Sequence, residues 1–166
     1  MKYLLVLSFF LISQIGFSKS NGNDTLRGTV SVKKLKKSFD WFKTEYDSYE
    51  PAVSDYYILR IKKAFEDKKV YIVMGTWCSD SKREVPRFFK VLKYCGLKTK
   101  NVKMVAVDKS KESGITEFDQ FETVFVPTFI FLDKTGKEMG RIIESPSKTI
   151  EYDMMKTIKP GFWEAQ

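Results

Sequence analysis

Trp77-Cys78-Ser79-Asp80-Ser81 is followed by Pro86 and, further downstream, by Val126-Pro127-Thr128. Just before the tryptophan lies the apolar run Val70-Tyr71-Ile72-Val73-Met74, closed by Gly75. A short apolar run bounded by charge and glycine reads as a strand buried on both faces. The next stretch, Ser79–Tyr94, puts Val85, Phe88, Leu92 and Cys95 on one helical face, with Gly96 as a natural left-handed stop. Residues 102–107 form a second buried strand. Strand, helix and strand at this spacing predict a βαβ unit with a parallel pair. Cys78 therefore falls where a strand turns into a helix.

Around this unit the periodicity predicts α-α-β-α-β-(α)-β-β-α. Leu35, Phe39, Phe42 and Tyr46 recur at spacings of three and four, one face of a single amphipathic helix from Ser31 that Pro51 ends. Ser54 is a plausible N-cap for a second helix with Ile58, Ile61 and Phe65 inward. Residues 108–122 are charged and irregular, with a short helix near 116–121. Thr128–Leu132 and Glu138–Ile143 read as a hairpin about the turn Asp133-Lys134-Thr135-Gly136. Pro146 and Ser147 precede a last helix carrying Ile150, Met154 and Ile158 on one side.

The chain of 166 residues suits one domain. Lys2 followed by a mostly apolar stretch to Phe17, then Ser18, Lys19 and Ser20, reads as a secretory signal over residues 1–20. That stretch is shorter than the ~20 residues of a spanning helix. Residues 21–30 read as a flexible lead-in, and 31–166 as one domain whose residues 31–67 are a helical extension. The expected location is periplasmic or otherwise extracytoplasmic, with no stable membrane span after cleavage.

Losing the signal removes Lys2 and Lys19 and no acid, so the formal net charge of +8 falls by two. The lysines are spread out apart from Lys33, Lys34, Lys36 and Lys37, which read as a solvated helix face, so no nucleic-acid partner is expected. The chain has no histidine. This excludes a Ser-His-Asp triad, a Cys-His dyad and the commonest zinc ligand sets. Two cysteines alone hold neither a structural zinc nor a four-cysteine cluster, and no metal or cofactor is expected.

At a helix start, unpaired N–H groups and the positive end of the dipole favour thiolate over thiol, and the thiolate is the nucleophile. Lys82 and Arg83 add positive charge to this site, while the Asp80 carboxylate opposes ionisation. Ser81 lies on the same side of the first turn, where its hydroxyl can donate to the sulfur but cannot attack a mixed disulfide. Trp77 offers a substrate an apolar surface. Cys95 sits on the apolar face about 25 Å along the helix, whereas a disulfide needs Cα atoms within about 7 Å. It reads as a core residue. On local grounds Pro127 reads as a trans proline at a strand start.

These residues resemble the thioredoxin family. Trp77-Cys78-x-x-Ser81 stands where the family has Trp-Cys-x-x-Cys, and Pro86 matches its helix proline. Val126-Pro127-Thr128 is similar to its cis-proline loop, which lines the substrate groove. The resemblance runs from about Lys69 to Ile158. It implies an α/β thioredoxin-like fold, a central mixed sheet of about four strands flanked by helices, with the helical N-terminus as an extension. It also implies a cis Pro127 and a site made of Cys78 and Ser81 with Trp77, Val126, Pro127 and Thr128, supported by Asp80 and Pro86. Two departures stand out: Ser81 replaces the second cysteine, and Ile72 replaces the family's buried aspartate.

The implied function is monothiol exchange through Cys78, reducing or isomerising protein disulfides. Partners would be protein thiols or disulfides, with a small thiol or an external reductant for release. The alternatives are a redox-inactive module or chaperone that binds extended peptides on the same scaffold, and iron–sulfur binding with an external thiol.

Overall fold

The structure, a computed structural model, describes residues 25–159. The proposed signal over residues 1–20 lies outside the described residues. The order of elements is β1 (Gly28–Thr29), α1 (Val32–Ser38), α2 (Asp40–Ser48), α3 (Asp55–Phe65), β2 (Lys69–Met74), α4 (Ser79–Tyr94), β3 (Val102–Ala106), α5 (Thr116–Asp119), β4 (Thr128–Leu132), β5 (Glu138–Ile143) and α6 (Ile150–Ile158). A short 3-10 turn, Thr99–Asn101, leads into β3.

The sheet runs β1-β3-β2-β4-β5, with β2 and β3 parallel and every other neighbour antiparallel. It has one strand more than the four expected. The fifth, β1, lies in the described part of residues 21–30, the stretch read from sequence as a lead-in. Gly28 and Thr29 pair with Ala106 and Val105, and the Val30 N–H donates to the Met104 carbonyl at 3.0 Å. Two paired residues carry no readable alternation, so the pairing is set by the open edge of β3.

The single helix expected before Pro51 is two. Phe39 is extended (φ −134, ψ 113) and serves as the C-cap of α1 and the N-cap of α2. Asp40, at the first position of α2, meets the positive end of that helix dipole. The apolar face survives the break, with Leu35, Phe39, Phe42 and Tyr46 all buried. At the start of α1 the Ser31 Oγ accepts the Lys34 N–H at 3.2 Å. Gly96 closes α4 with φ 65, the left-handed stop expected of it.

Alternation along β2 builds two cores. Val70, Ile72 and Met74 face the larger one, with residues of α1–α4 and α6. Tyr71 and Val73 face a smaller one with Phe118, Phe121, Val126 and Ile130. Coverage on both faces explains why β2 reads as an unbroken apolar run. The fully buried Phe88 and Phe129 rings lie 5.1 Å apart, pinning α4 to β4. Burying each such side chain contributes about 1.5–3 kcal/mol. No described helix is long and apolar enough to cross a membrane.

Candidate active site around Cys78

Cys78 occupies the N-cap of α4 with extended backbone (φ −85, ψ 129). Its N–H donates to the Gly75 carbonyl at 3.0 Å, and its own carbonyl accepts the Lys82 N–H at 3.0 Å. The turn therefore uses the backbone of Cys78 and leaves the side chain for other contacts. The sulfur is partly buried against the smaller core. Its Sγ donates to the Val126 carbonyl at 3.0 Å.

The Val126–Pro127 peptide is cis, as the resemblance implied and against the local reading of a trans bond. Around it the chain is held firmly. The Pro127 carbonyl accepts the Glu144 N–H at 2.7 Å, and the buried Thr128 donates its hydroxyl to the Phe125 carbonyl at 2.7 Å. The Val126 carbonyl that meets the sulfur thus belongs to a loop held at Pro127 and Thr128. Val124 and Phe125, just before them, are 64% and 52% exposed. This exposed apolar pair close in sequence to Val126 was not singled out from sequence; its only signal was the apolar run that ends at Pro127.

Trp77 is fixed from three sides. Its Nε1 donates to the Val107 carbonyl at 3.0 Å, and the Lys111 ammonium lies 4.5 Å above the ring. The third contact is Gly75. A Cβ built there would lie 2.7 Å from the Trp77 ring, so the ring needs a glycine beneath it. Lys111 is brought over the ring by a loop expected only to be irregular. There Asp108 Oδ1 accepts the Ser110 hydroxyl at 2.6 Å and the Ser110 N–H at 2.9 Å. The Ser110 hydroxyl bond leads the causes that hold the Asp108 carboxyl below its ordinary range.

Ser81 differs from expectation. It is fully buried, and its Oγ accepts the Gly75 N–H at 3.1 Å, tying the first turn of α4 back to the end of β2. No hydrogen bond from Ser81 to the sulfur is found among the described residues. A hydroxyl that accepts in this way still keeps one proton to donate.

Asp80 and Arg83 were expected to act as opposed charges on the thiol. They act on each other: Arg83 donates to Asp80 at 2.7 Å, to Ser145 at 2.7 Å and to Glu84 at 2.6 Å. Glu84 is buried and was missed from sequence. Its Oε1 is shared with Arg87 at 3.6 Å, and its Oε2 has no partner among the described residues. Pro86 lies inside α4 and is buried, removing the N–H that would reach the Lys82 carbonyl. Ile72, where the family carries an acid, is fully buried among apolar side chains.

Cys95 lies at the other end of α4, buried and unpaired. Burial, and then the nearby Glu151 carboxylate, push its thiol up to about 11. Among the described residues no three His, Cys, Asp or Glu side chains converge as metal ligands would.

A sequence model of the thioredoxin family matches residues 43–159. No relative is found among curated proteins. Solved structures give loose likenesses. One is a protein of unknown function from Pseudomonas aeruginosa, 12% identical, with TM-score 0.47 over 76% of this chain and 73% of that one. Another is mitochondrial thioredoxin 3 from Saccharomyces cerevisiae in its oxidised form, 25% identical, with TM-score 0.39 over 69% and 97%. A third comes from a structure of the thiol resolving mechanism in yeast mitochondrial 1-Cys peroxiredoxin, 24% identical, with TM-score 0.39 over 69% and 96%. The family match covers Cys78 and α4, the Pro127 loop and every strand except β1, and on that match the chain belongs to the thioredoxin family.

Proposed function

We propose that this chain is an extracytoplasmic thiol–disulfide oxidoreductase that works through one sulfur, Cys78. The observation that carries the reading is the placement of that sulfur. It stands at the N-cap of a long helix, partly open to solvent, 3.0 Å from the Val126 carbonyl beside Pro127. The export part of the reading rests on residues 1–20 alone.

In the first step the Cys78 thiolate attacks one sulfur of a substrate disulfide. A bond forms between Cys78 and that sulfur, the substrate S–S bond breaks, and the other substrate sulfur leaves as thiolate. The N–H groups at the start of α4 and the helix dipole stabilise the attacking anion. Ser81 cannot resolve the mixed disulfide. Release needs a second thiolate, either another cysteine of the substrate or an external small thiol. It attacks the substrate sulfur, forms a new disulfide there, and returns Cys78 as thiolate. The substrate route rearranges disulfides with no net electron transfer. With an external thiol, two equivalents reduce one disulfide. The half-buried Trp77 and the loop of Val126, Pro127 and Thr128, whose side chains are buried, flank the sulfur on the side where the substrate chain lies, and Asp80, neutralised by Arg83, supports the first turn.

The test is exchange itself. Reduction of a protein disulfide by an external thiol should be accelerated by the protein, lost in Cys78→Ser and kept in Cys95→Ser. Equal acceleration by the Cys78→Ser variant would end the reading. The exposure of Val124 and Phe125 supports a second reading, a module that binds extended peptides without turnover. That reading gains if peptide binding persists in Cys78→Ser while no exchange is seen in the parent protein.

A further inference from the structure

A closed ring of contacts runs from the sulfur back to its own helix, and Arg83 closes it. On one side the Cys78 Sγ donates to the Val126 carbonyl at 3.0 Å. The next carbonyl, that of Pro127, accepts the Glu144 N–H at 2.7 Å. Ser145 follows Glu144 where the chain leaves β5. On the other side Asp80 lies in the first turn of α4, just beyond Cys78. The Arg83 Nη2 donates to Asp80 at 2.7 Å and to the Ser145 Oγ at 2.7 Å, and the Ser145 hydroxyl donates to Asp80 at 3.4 Å. The Pro127 loop and the Cys78 turn are therefore joined both at the sulfur and at Arg83.

The guanidinium is itself fixed from behind. Its Nε donates to Glu84 Oε1 at 2.6 Å, and Glu84 is 2% exposed. Arg87 reaches the same oxygen at 3.6 Å and donates to Glu45 of α2 at 2.6 Å. An exposed ion pair by itself contributes little. Here a planar fork, already held by a buried carboxylate, loses little freedom in reaching two further acceptors. A lysine, with its single ammonium, cannot span all three in one geometry. Glu144 adds an independent observation. It holds φ 58, a left-handed backbone that a glutamate keeps only where its surroundings impose it. The bond to Pro127, and the bond from the next residue to Arg83, impose it from two directions.

We propose that Arg83 is a positioning residue for exchange: through Ser145 it latches the Pro127 loop to the Cys78 turn and so fixes the gap that a substrate chain must enter. The role in exchange rests on the reading above; the latch rests on the geometry. Two variants separate positioning from charge. Ser145→Ala cuts the latch and leaves Arg83 beside Asp80, and Ser145 is exposed, so no core packing changes. Arg83→Lys keeps a positive charge beside Asp80 and gives up the fork. In both, kcat/KM for a protein disulfide should fall about three- to tenfold, the factor that one lost hydrogen bond accounts for. Alkylation of Cys78 by iodoacetamide should stay within about twofold of the parent, because the charge near the thiol is kept. The Glu144 amide, followed by NMR, should exchange with deuterium faster in both variants by about the same three- to tenfold, because the bond to Pro127 opens more often. Parent-like kcat/KM in both variants, alkylation that falls in step with it, or an unchanged Glu144 amide would overturn the proposal. Should the parent protein catalyse no exchange, the reading above fails, and the amide measurement alone decides the latch.

Discussion

Cys78 and Cys95 stand at opposite caps of the same helix, and almost everything about them differs. Cys78 meets the positive end of α4, is partly open, and hydrogen-bonds the Val126 carbonyl. Cys95 meets the negative end, is buried, and has the Glu151 carboxylate near enough to oppose its ionisation. Residue type alone therefore says little about a thiol. Its place along the helix dipole, its access to water and the charge nearest to it separate a nucleophile from a packing group.

The largest expected effect breaks this contrast directly. Cys78→Ser should lower catalysed disulfide reduction by ~100-fold or more, to the background rate of the external thiol. Cys95→Ser should stay within about twofold of the parent, because a buried thiol takes no part in exchange. Turbidity from insulin reduction measures both. Comparable losses in the two variants would erase the distinction.

The second prediction concerns pH. Folding raises the Cys95 thiol to about 11 from its ordinary 9.0, because burial disfavours the thiolate. The folded state thus holds the proton through a window where the unfolded chain releases it. The sign follows: the associated stability is fully present below about pH 9 and is lost as pH rises towards 11. Its size is on the order of 2 kcal/mol. Urea unfolding at pH 8 and pH 10.5 should show that fall in the parent and a smaller one in Cys95→Ala. Iodoacetamide at pH 8 should label Cys95 only after denaturation.

Two smaller effects sharpen the Cys78 end. Gly75→Ala puts a Cβ into the Trp77 ring, so stability should fall by about 1–3 kcal/mol. Displacement of the ring should change the tryptophan fluorescence. An unchanged spectrum and unfolding midpoint would show that Trp77 is not held as described. Arg83→Ala releases Asp80 from its partner. The freed carboxylate should slow alkylation of Cys78 at neutral pH by about two- to fivefold, with the rate recovered in Arg83→Ala/Asp80→Ala. A double variant as slow as the single one would remove Asp80 from the explanation.

The contrast between the thiols was half legible in sequence. The apolar run of β2, the turn at Gly75 and the periodicity of Ser79–Tyr94 put Cys78 at a helix start and Cys95 on a core face, and both positions hold. Gly96 stops α4 as its chemistry predicts. What sequence missed was partnership. Ser81 was expected to turn to the sulfur and instead accepts the Gly75 N–H. Arg83 was expected to act on the thiol and instead joins Asp80, Ser145 and Glu84. The break at Phe39 was invisible because the residues on either side keep the same apolar face.

The linear order of residues by itself determined the helices and strands from α3 onward, which faces turn inward, and that one cysteine begins a helix. These follow from periodicity and capping, which act within a few residues of chain. No local pattern showed what touches the sulfur, because its partner Val126 lies 48 residues away; the family resemblance implied that loop, and the tertiary structure set the contact. Only the tertiary structure decided the seam between Leu26 and Thr76, 50 residues apart. Such contacts are settled by how the sheet orders its strands and which backbone groups that order leaves to be satisfied, and no local pattern encodes that choice.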